Sequence, residues 1–175
     1  MIVLVTGGAS SGKSKISEEI SQVFGGKMLY IATMQPYGNE GKQRIERHRT
    51  LREGKGFVTK EKYTNLMDLK CDGYDTILLE CMSNLIANEL FCDIGSKEKY
   101  LESIENGLST LKRSVKNIVI VTNEIFSDDI NYDEETTNYI KALGNVNRYL
   151  AKEADVVIEA VVGIKICLKG SLDSL

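Results

Sequence analysis

The chain has 175 residues, 42% of them hydrophobic, and a formal net charge of −3, which together fit one soluble domain over residues 1–175. The small negative charge gives no support for binding to long nucleic acids, and no apolar run reaches the ~18 residues that a membrane span needs. The first residues lack a signal-peptide pattern and the four cysteines show no CxxC spacing, so we expect a cytoplasmic protein with reduced thiols.

Strands and helices are predicted to alternate along the chain. Apolar, β-branched runs predict strands at 2–5, 28–33, 74–80 and 117–124, and a strand pair within 155–168. Helical spacing of apolar side chains predicts helices at 14–24, 83–92, 97–115 and 136–153, and residues 39–53 fit a charged helix. Apolar strands separated by helices are typical of a mostly parallel sheet covered on both faces. We therefore predict a three-layer α/β fold of the P-loop NTPase type that ends in an antiparallel strand pair.

Residues 7–14, GGASSGKS, fit the phosphate-binding pattern G-x-x-x-x-G-K-[ST]. The segment lies between a predicted strand and a predicted helix, which is the context that this motif requires. Lys13 is expected to reach the β- and γ-phosphates as a catalytic group, and the Ser14 hydroxyl to hold Mg²⁺. The expected nucleotide contacts come from the whole loop: Gly7, Gly8, Ala9, Ser10, Ser11, Gly12, Lys13 and Ser14.

Two glutamates end buried strands that should lie beside the phosphate loop. Glu80 closes TILLE and Glu124 closes IVIVTNE. The carboxyl ends of parallel strands meet at one sheet edge, where ligands of α/β proteins bind. Either carboxylate could therefore complete the Mg²⁺ site. A structural role, in which the glutamate only caps the following helix, is the alternative.

The segment RIERHRTLRE, residues 44–53, contains His48, the only histidine of the chain. Residues 40–62 hold eight Lys or Arg and four Glu, a local charge of +4 that indicates an anionic ligand such as a nucleotide. On a helix, Arg44 and Arg52 share a face with His48. A neutral imidazole can attack phosphorus, and the guanidinium groups can neutralise phosphate. Spacing alone does not separate this interpretation from a solvated basic helix with an idle histidine.

Several blocks in order along the chain resemble one family, the bifunctional adenosylcobinamide kinases / adenosylcobinamide-phosphate guanylyltransferases of cobalamin biosynthesis. The blocks cover almost the whole sequence: VLVTGGASSGKS, LYIAT, RIERHR, FVTKE, TILLECMSNLIANELF, VIVTNE and NVNRYLAKEADVV. The P-loop is common to many families. The combination with the Arg-x-x-x-His segment, LLEC and TNE is much more specific.

The resemblance implies two reactions at one site. A nucleoside triphosphate, ATP or GTP, phosphorylates the aminopropanol hydroxyl of adenosylcobinamide. GTP then gives GMP to His48, and the cobinamide phosphate takes it from there as adenosylcobinamide-GDP. The resemblance further implies nucleotide contacts by Glu61 and by Glu80, which could instead bind the metal, and assembly of the chain into a trimer.

The sequence departs from the family pattern after TNE. IFSDDINY stands in place of a glycine-rich loop, YIK (139–141) in place of F-R-D, and NR (147–148) in place of N-Q, while Phe57 replaces a tryptophan. The residues for guanylyl transfer are kept. A guanylyltransferase with little kinase activity and a simple P-loop kinase for another small alcohol therefore stand as alternatives, beside a non-catalytic nucleotide-binding protein.

Overall fold

The computed structural model describes residues 1–126 and 130–174, without the side chains of Glu40, Arg44, Leu51 and Ser174. Residues 127–129, within the segment IFSDDINY (125–132), thus lie outside the described residues. Within the described part, no helix has both the length and the apolar character to cross a membrane.

The described strands form one sheet in the order β3-β2-β4-β5-β1-β6-β7. The strands are β1 (Ile2–Thr6), β2 (Met28–Ala32), β3 (Phe57–Glu61), β4 (Thr76–Leu79), β5 (Asn117–Val121), β6 (Val156–Val161) and β7 (Ile164–Lys169). The first six run parallel and β7 pairs antiparallel with β6. The predicted mostly parallel sheet with a C-terminal strand pair is confirmed.

In the part of the chain that the structure describes, five α-helices connect the strands: α1 (Lys13–Phe24), α2 (Gly38–Arg52), α3 (Met82–Phe91), α4 (Tyr100–Ser114) and α5 (Glu134–Glu153). Helix α1 packs on one sheet face through Ile16 and Ile20, while α3, α4 and α5 bury their apolar stripes on the other. The central strands consist largely of Val, Ile and Leu because both of their faces are covered. This arrangement is the predicted three-layer fold.

Strand β3 is an element that the hydrophobic pattern did not predict. Its sequence, FVTKE, lies at the sheet edge and keeps much of its surface exposed, so it lacks the continuous apolar run of a central strand. It pairs with β2 from Phe57 to Glu61. As a result, Glu61 reaches the same sheet edge as the other strand ends.

Candidate active site

The phosphate loop connects β1 to α1 and is shaped by its glycines. Gly7 and Gly12 have φ angles of +146° and +98°, in the region that favours glycine. A Cβ atom on Gly7 would lie 2.5 Å from the carbonyl oxygen of Ala160. Lys13 is buried, and its Nζ donates to the carbonyl oxygens of Gly7 (2.8 Å) and Gly8 (2.6 Å). The backbone therefore has the curled form in which successive N–H groups can surround a phosphate.

The turn between β6 and β7 braces this loop from the side. The Gly163 N–H donates to the carbonyl oxygen of Ser11 at 2.8 Å, and a Cβ on Gly12 would lie 3.1 Å from the Gly163 Cα. Val162 precedes it with a φ of +46°, a conformation that is strained for a β-branched residue. The hairpin is thus part of the phosphate-binding structure.

Glu124 lies next to the phosphate loop because β5 is the neighbour of β1. Its N–H donates to the Gly7 carbonyl at 3.0 Å, and its carboxylate accepts a hydrogen bond from the N–H of Phe126 at 2.9 Å. Asn147 of α5 holds the strand end by accepting from the Thr122 hydroxyl at 2.6 Å and donating to the Asn123 carbonyl at 3.1 Å. The TNE segment is therefore fixed from two sides.

The oxygen atoms of Ser14 and Glu124 suit a magnesium ion. Ser14 is exposed in the first turn of α1. Glu124 follows β5, which lies one strand spacing, about 5 Å, from β1. Mg²⁺ prefers hard oxygen ligands and usually combines one or two protein groups with substrate phosphates and water. These two side chains could supply the protein part of such a site.

His48 of α2 contacts Glu80 at the end of β4. The His48 Nδ1 and Glu80 Oε1 atoms are 2.9 Å apart, and the two side chains are 25% and 8% exposed. A carboxylate only accepts hydrogen bonds, so the Nδ1–H of the imidazole is the donor, and in the neutral ring the lone pair is then on Nε2. The pair places an oriented imidazole ring on the sheet edge that carries the phosphate loop.

Tyr30 and Arg52 pack next to the His48–Glu80 pair. The Arg52 guanidinium carbon lies 3.6 Å from the centre of the Tyr30 ring, and Phe57 packs edge-on against the same ring with centroids 5.9 Å apart. Burial and the negative charge of Glu80 raise the pKa of Tyr30, so its phenol stays protonated. The C-terminal turn of α2 is thereby anchored on β2.

Glu61 lies at the outer edge of the sheet, on β3. Its Oε1 atom lies 3.7 Å from Nη2 of Arg49 in α2, and its carboxylate accepts a hydrogen bond from the Tyr63 hydroxyl at 2.7 Å. Burial and this hydrogen bond raise the pKa of Tyr63 to about 12. Helix α2 therefore contacts Glu80 after β4 through His48, the middle of β2 through Arg52, and the last residue of β3 through Arg49.

The structure brings the predicted site residues together in two groups. The loop 7–14 and Glu124 form the first, and His48 with Glu80 forms the second, two strand spacings or about 10 Å from β1. One oxygen of Glu80 contacts His48 and one oxygen of Glu124 accepts from the Phe126 N–H, but of the two only Glu124 follows a strand that pairs with β1. Arg52 is buried against Tyr30 instead of sharing an open face with His48, and the Arg44 side chain lies outside the described residues.

The hydrophobic pattern did not indicate the supporting roles of two residues, although both stand in blocks that resemble the family. Tyr30 stands in the apolar run MLYIA, and Asn147 stands in a helix whose pattern only predicts packing. Their roles depend on partners from distant segments: Arg52 and Glu80 for Tyr30, and the TNE segment for Asn147. Such partners become visible only when the sheet order is known.

The comparison with known proteins assigns the family. Residues 3–168 match the family described as cobinamide kinase / cobinamide phosphate guanyltransferase. The chain belongs to this family. It is 32% identical to the bifunctional adenosylcobalamin biosynthesis protein CobU of Escherichia coli (strain K12), over 97% of this chain and 100% of that protein. It is 28% identical to the bifunctional adenosylcobalamin biosynthesis protein CobP of Pseudomonas aeruginosa, over 95% and 96%.

Solved structures agree with this fold at low sequence identity. An ATPase from a bacterial type III secretion system has a TM-score of 0.54 at 12% identity; the alignment covers 95% of this chain and 57% of the ATPase. A structure from Pyrococcus horikoshii has a TM-score of 0.52 at 13% identity, over 99% of this chain and 88% of that one. This member of the cobinamide kinase / cobinamide phosphate guanyltransferase family thus has an NTPase-type α/β architecture.

Proposed function

We propose that this transferase phosphorylates adenosylcobinamide with a nucleoside triphosphate and then transfers GMP from GTP to the product through His48. Family membership supports both reactions. The observation that carries the residue assignment is the His48–Glu80 hydrogen bond on the sheet edge of the phosphate loop. A solvated basic helix with an idle histidine would not place that ring on a buried carboxylate.

The phosphate loop serves the kinase step. Its N–H groups and Lys13 hold the β- and γ-phosphates, so that the acceptor hydroxyl meets the γ-phosphorus in line with the leaving oxygen. Bound Mg²⁺, held by Ser14 and Glu124, would neutralise charge that develops between the β- and γ-phosphates. In this scheme Lys13 exchanges its hydrogen bonds to the loop carbonyls for bonds to phosphate.

His48 serves the guanylyl step. Its Nε2 attacks the α-phosphorus of GTP, the N–P bond forms and pyrophosphate leaves. Glu80 keeps the proton on Nδ1 and stabilises the positive charge that the ring acquires during attack. A phosphate oxygen of the cobinamide phosphate then attacks the same phosphorus, the N–P bond breaks and His48 is restored.

The remaining assignments follow the same proposal. Both ATP and GTP are taken as substrates, and Arg44, Arg52 and Glu61 remain candidate nucleotide ligands that α2 would have to bring to the phosphates. Such a movement of α2 would resemble the closure of loops and lids over the substrates of other enzymes. We further propose one functional domain over residues 1–175, a cytoplasmic location and a trimeric assembly.

Isotope labelling separates the proposed function from its alternatives. The protein is incubated with cobinamide and Mg²⁺ and with GTP labelled at either the α- or the γ-phosphate. We expect γ-label in cobinamide phosphate and α-label first on the protein and then in cobinamide-GDP. Transfer of γ-label without any α-label on the protein would establish the simple kinase. Protein-bound α-label without γ-transfer would establish a guanylyltransferase with little kinase activity.

A further inference from the structure

A cavity of about 430 Å³ lies between α3, α4 and α5, outside the residues assigned so far. One wall is apolar and includes Phe91 and Tyr100, and Phe91 is 46% exposed. The other wall carries Asn138 together with charges of both signs, Lys141 and Glu135 among them. The volume falls within the range of small-molecule sites, which combine apolar walls with a few polar groups.

The cavity is structurally connected to the reacting edge of the sheet. Helix α3 begins two residues after Glu80 and ends at Phe91 on the cavity wall. The Tyr139 hydroxyl donates to the Ser83 carbonyl at 3.3 Å, and the Tyr139 ring packs against Phe91 with centroids 6.4 Å apart. Ser83 and Phe91 are eight residues apart on a helix, so the cavity lies about 12 Å from the helix start.

The lining favours a neutral, amide-bearing ligand. The charged lining residues are two lysines and two glutamates (Lys97, Lys141, Glu98 and Glu135), so the cavity offers a polyphosphate no net positive charge. A corrin ring has an apolar edge and carries carboxamide side chains, each of which both donates and accepts hydrogen bonds. The lysines, the glutamates and the Asn138 amide can together supply donors and acceptors to such groups, while Phe91 and Tyr100 cover the apolar edge.

We propose that this cavity binds one edge of the corrinoid ring of the acceptor. The inference rests on the proposed function and names the place from which the acceptor is presented. A ring seated there directs its hydroxyl- or phosphate-bearing arm along α3 toward Glu80 and His48. Nucleotide and acceptor then approach the sheet edge from different sides.

Binding of cobinamide, which is coloured, tests the cavity directly without any catalytic step. Ultrafiltration and visible absorbance give the affinity for the wild type and for Asn138→Trp, which fills the cavity, and Phe91→Ser, which removes the aromatic wall. We expect both variants to bind at least about tenfold more weakly, as for the loss of one well-buried contact. Gln22→Trp on α1, in the opposite layer, is the matched control and should bind as the wild type does.

A second measurement separates this inference from the proposed function. Formation of the GMP adduct from Mg·GTP needs no acceptor, so it reports whether each variant is folded and reactive. Variants that form the adduct but need about tenfold more cobinamide phosphate to discharge it would support the cavity. Wild-type affinity for cobinamide in both variants would overturn it. A wild type that binds cobinamide through the cavity but never forms the adduct would overturn the proposed function alone.

Discussion

The Glu80 carboxylate determines what the His48 ring can do. The hydrogen bond to Nδ1 selects one tautomer of the neutral ring. Nε2 then lies on the side of the ring away from Glu80, whose side chain is only 8% exposed. Arg52 does not orient the His48 ring, because its guanidinium packs on Tyr30. A carboxylate orients the catalytic histidine of Ser-His-Asp hydrolases in the same way.

A Glu80→Gln change tests this orientation. The amide keeps the size of the side chain but can donate to Nδ1, which would place the proton on Nε2 and remove the nucleophile. We expect the rate of GMP-adduct formation at saturating GTP to fall by about 10²-fold or more. Rapid-quench mass spectrometry gives this rate.

The matched control is Glu46→Gln, which removes an exposed carboxylate from α2, the helix that carries His48. It should leave the rate within about twofold, since exposed ion pairs contribute little. A Glu80→Gln variant that reaches the wild-type rate at higher GTP concentration would mean that Glu80 binds the nucleotide and does not orient His48.

At the scale of elements, the phosphate loop depends on three segments, and the sequence predicts two of them, the motif and the strand end at TNE, but not the role of the C-terminal turn. The motif GGASSGKS predicts the loop between β1 and α1. The turn at Val162–Gly163 and the TNE segment reach it only through the sheet pairing of β6 and β5 with β1. Strand β3 was missed for a related reason: an edge strand with exposed polar residues lacks the apolar run that identified the others.

The β6–β7 turn offers a stability test. Val162 has a φ of +46° and is 83% exposed, so it bears strain without contributing much packing. Asn tolerates the left-handed region and suits the first position of an Asn-Gly hairpin turn. Val162→Asn should therefore raise the free energy of unfolding by about 1 kcal/mol. Urea denaturation followed by circular dichroism measures the change.

Val161→Asn provides the comparison, because Val161 lies in regular β6 of the same hairpin. Loss of a β-branched residue from a strand should leave stability unchanged or lower. A stabilisation of equal size in both variants would show that the strain at Val162 is not the cause.

At the scale of the whole molecule, the strand order sets the distances within the site. Glu124 follows β5 by three residues, Glu80 follows β4 by one and Glu61 is the last residue of β3. The order β3-β2-β4-β5-β1 places them one, two and four strand spacings from the phosphate loop, about 5, 10 and 19 Å. The sequence predicted the layers of the fold correctly, because apolar runs report burial. It could not rank the three carboxylates, because neighbours in the sheet are not neighbours in the chain.

Nucleotide binding should stabilise the whole fold, because the phosphate loop joins β1, α1 and the C-terminal hairpin. With Mg·GTP at a hundred times its dissociation constant, we expect about 2.7 kcal/mol of added stability, a rise of several degrees in Tm for a domain of this size. Differential scanning calorimetry measures the shift.

Two variants separate binding from chemistry in this measurement. His48→Asn should keep most of the shift, since the phosphates are held by the loop. Lys13→Ala should lose most of it, because a buried Nζ that can reach phosphate is gone. An undiminished shift in Lys13→Ala would contradict the assignment of residues 7–14 as the phosphate site.

The central claim is that His48 carries GMP. After incubation with Mg·GTP, intact-mass spectrometry should show one added GMP on the wild-type chain, and tandem mass spectrometry of its peptides should locate that GMP on His48. The bond should be lost in acid and stable in base, as expected for a phosphoramidate. His48→Asn should bind GTP and gain no mass. A GMP adduct that persists in His48→Asn, or a wild-type chain that turns GTP over and never gains GMP, would contradict the account.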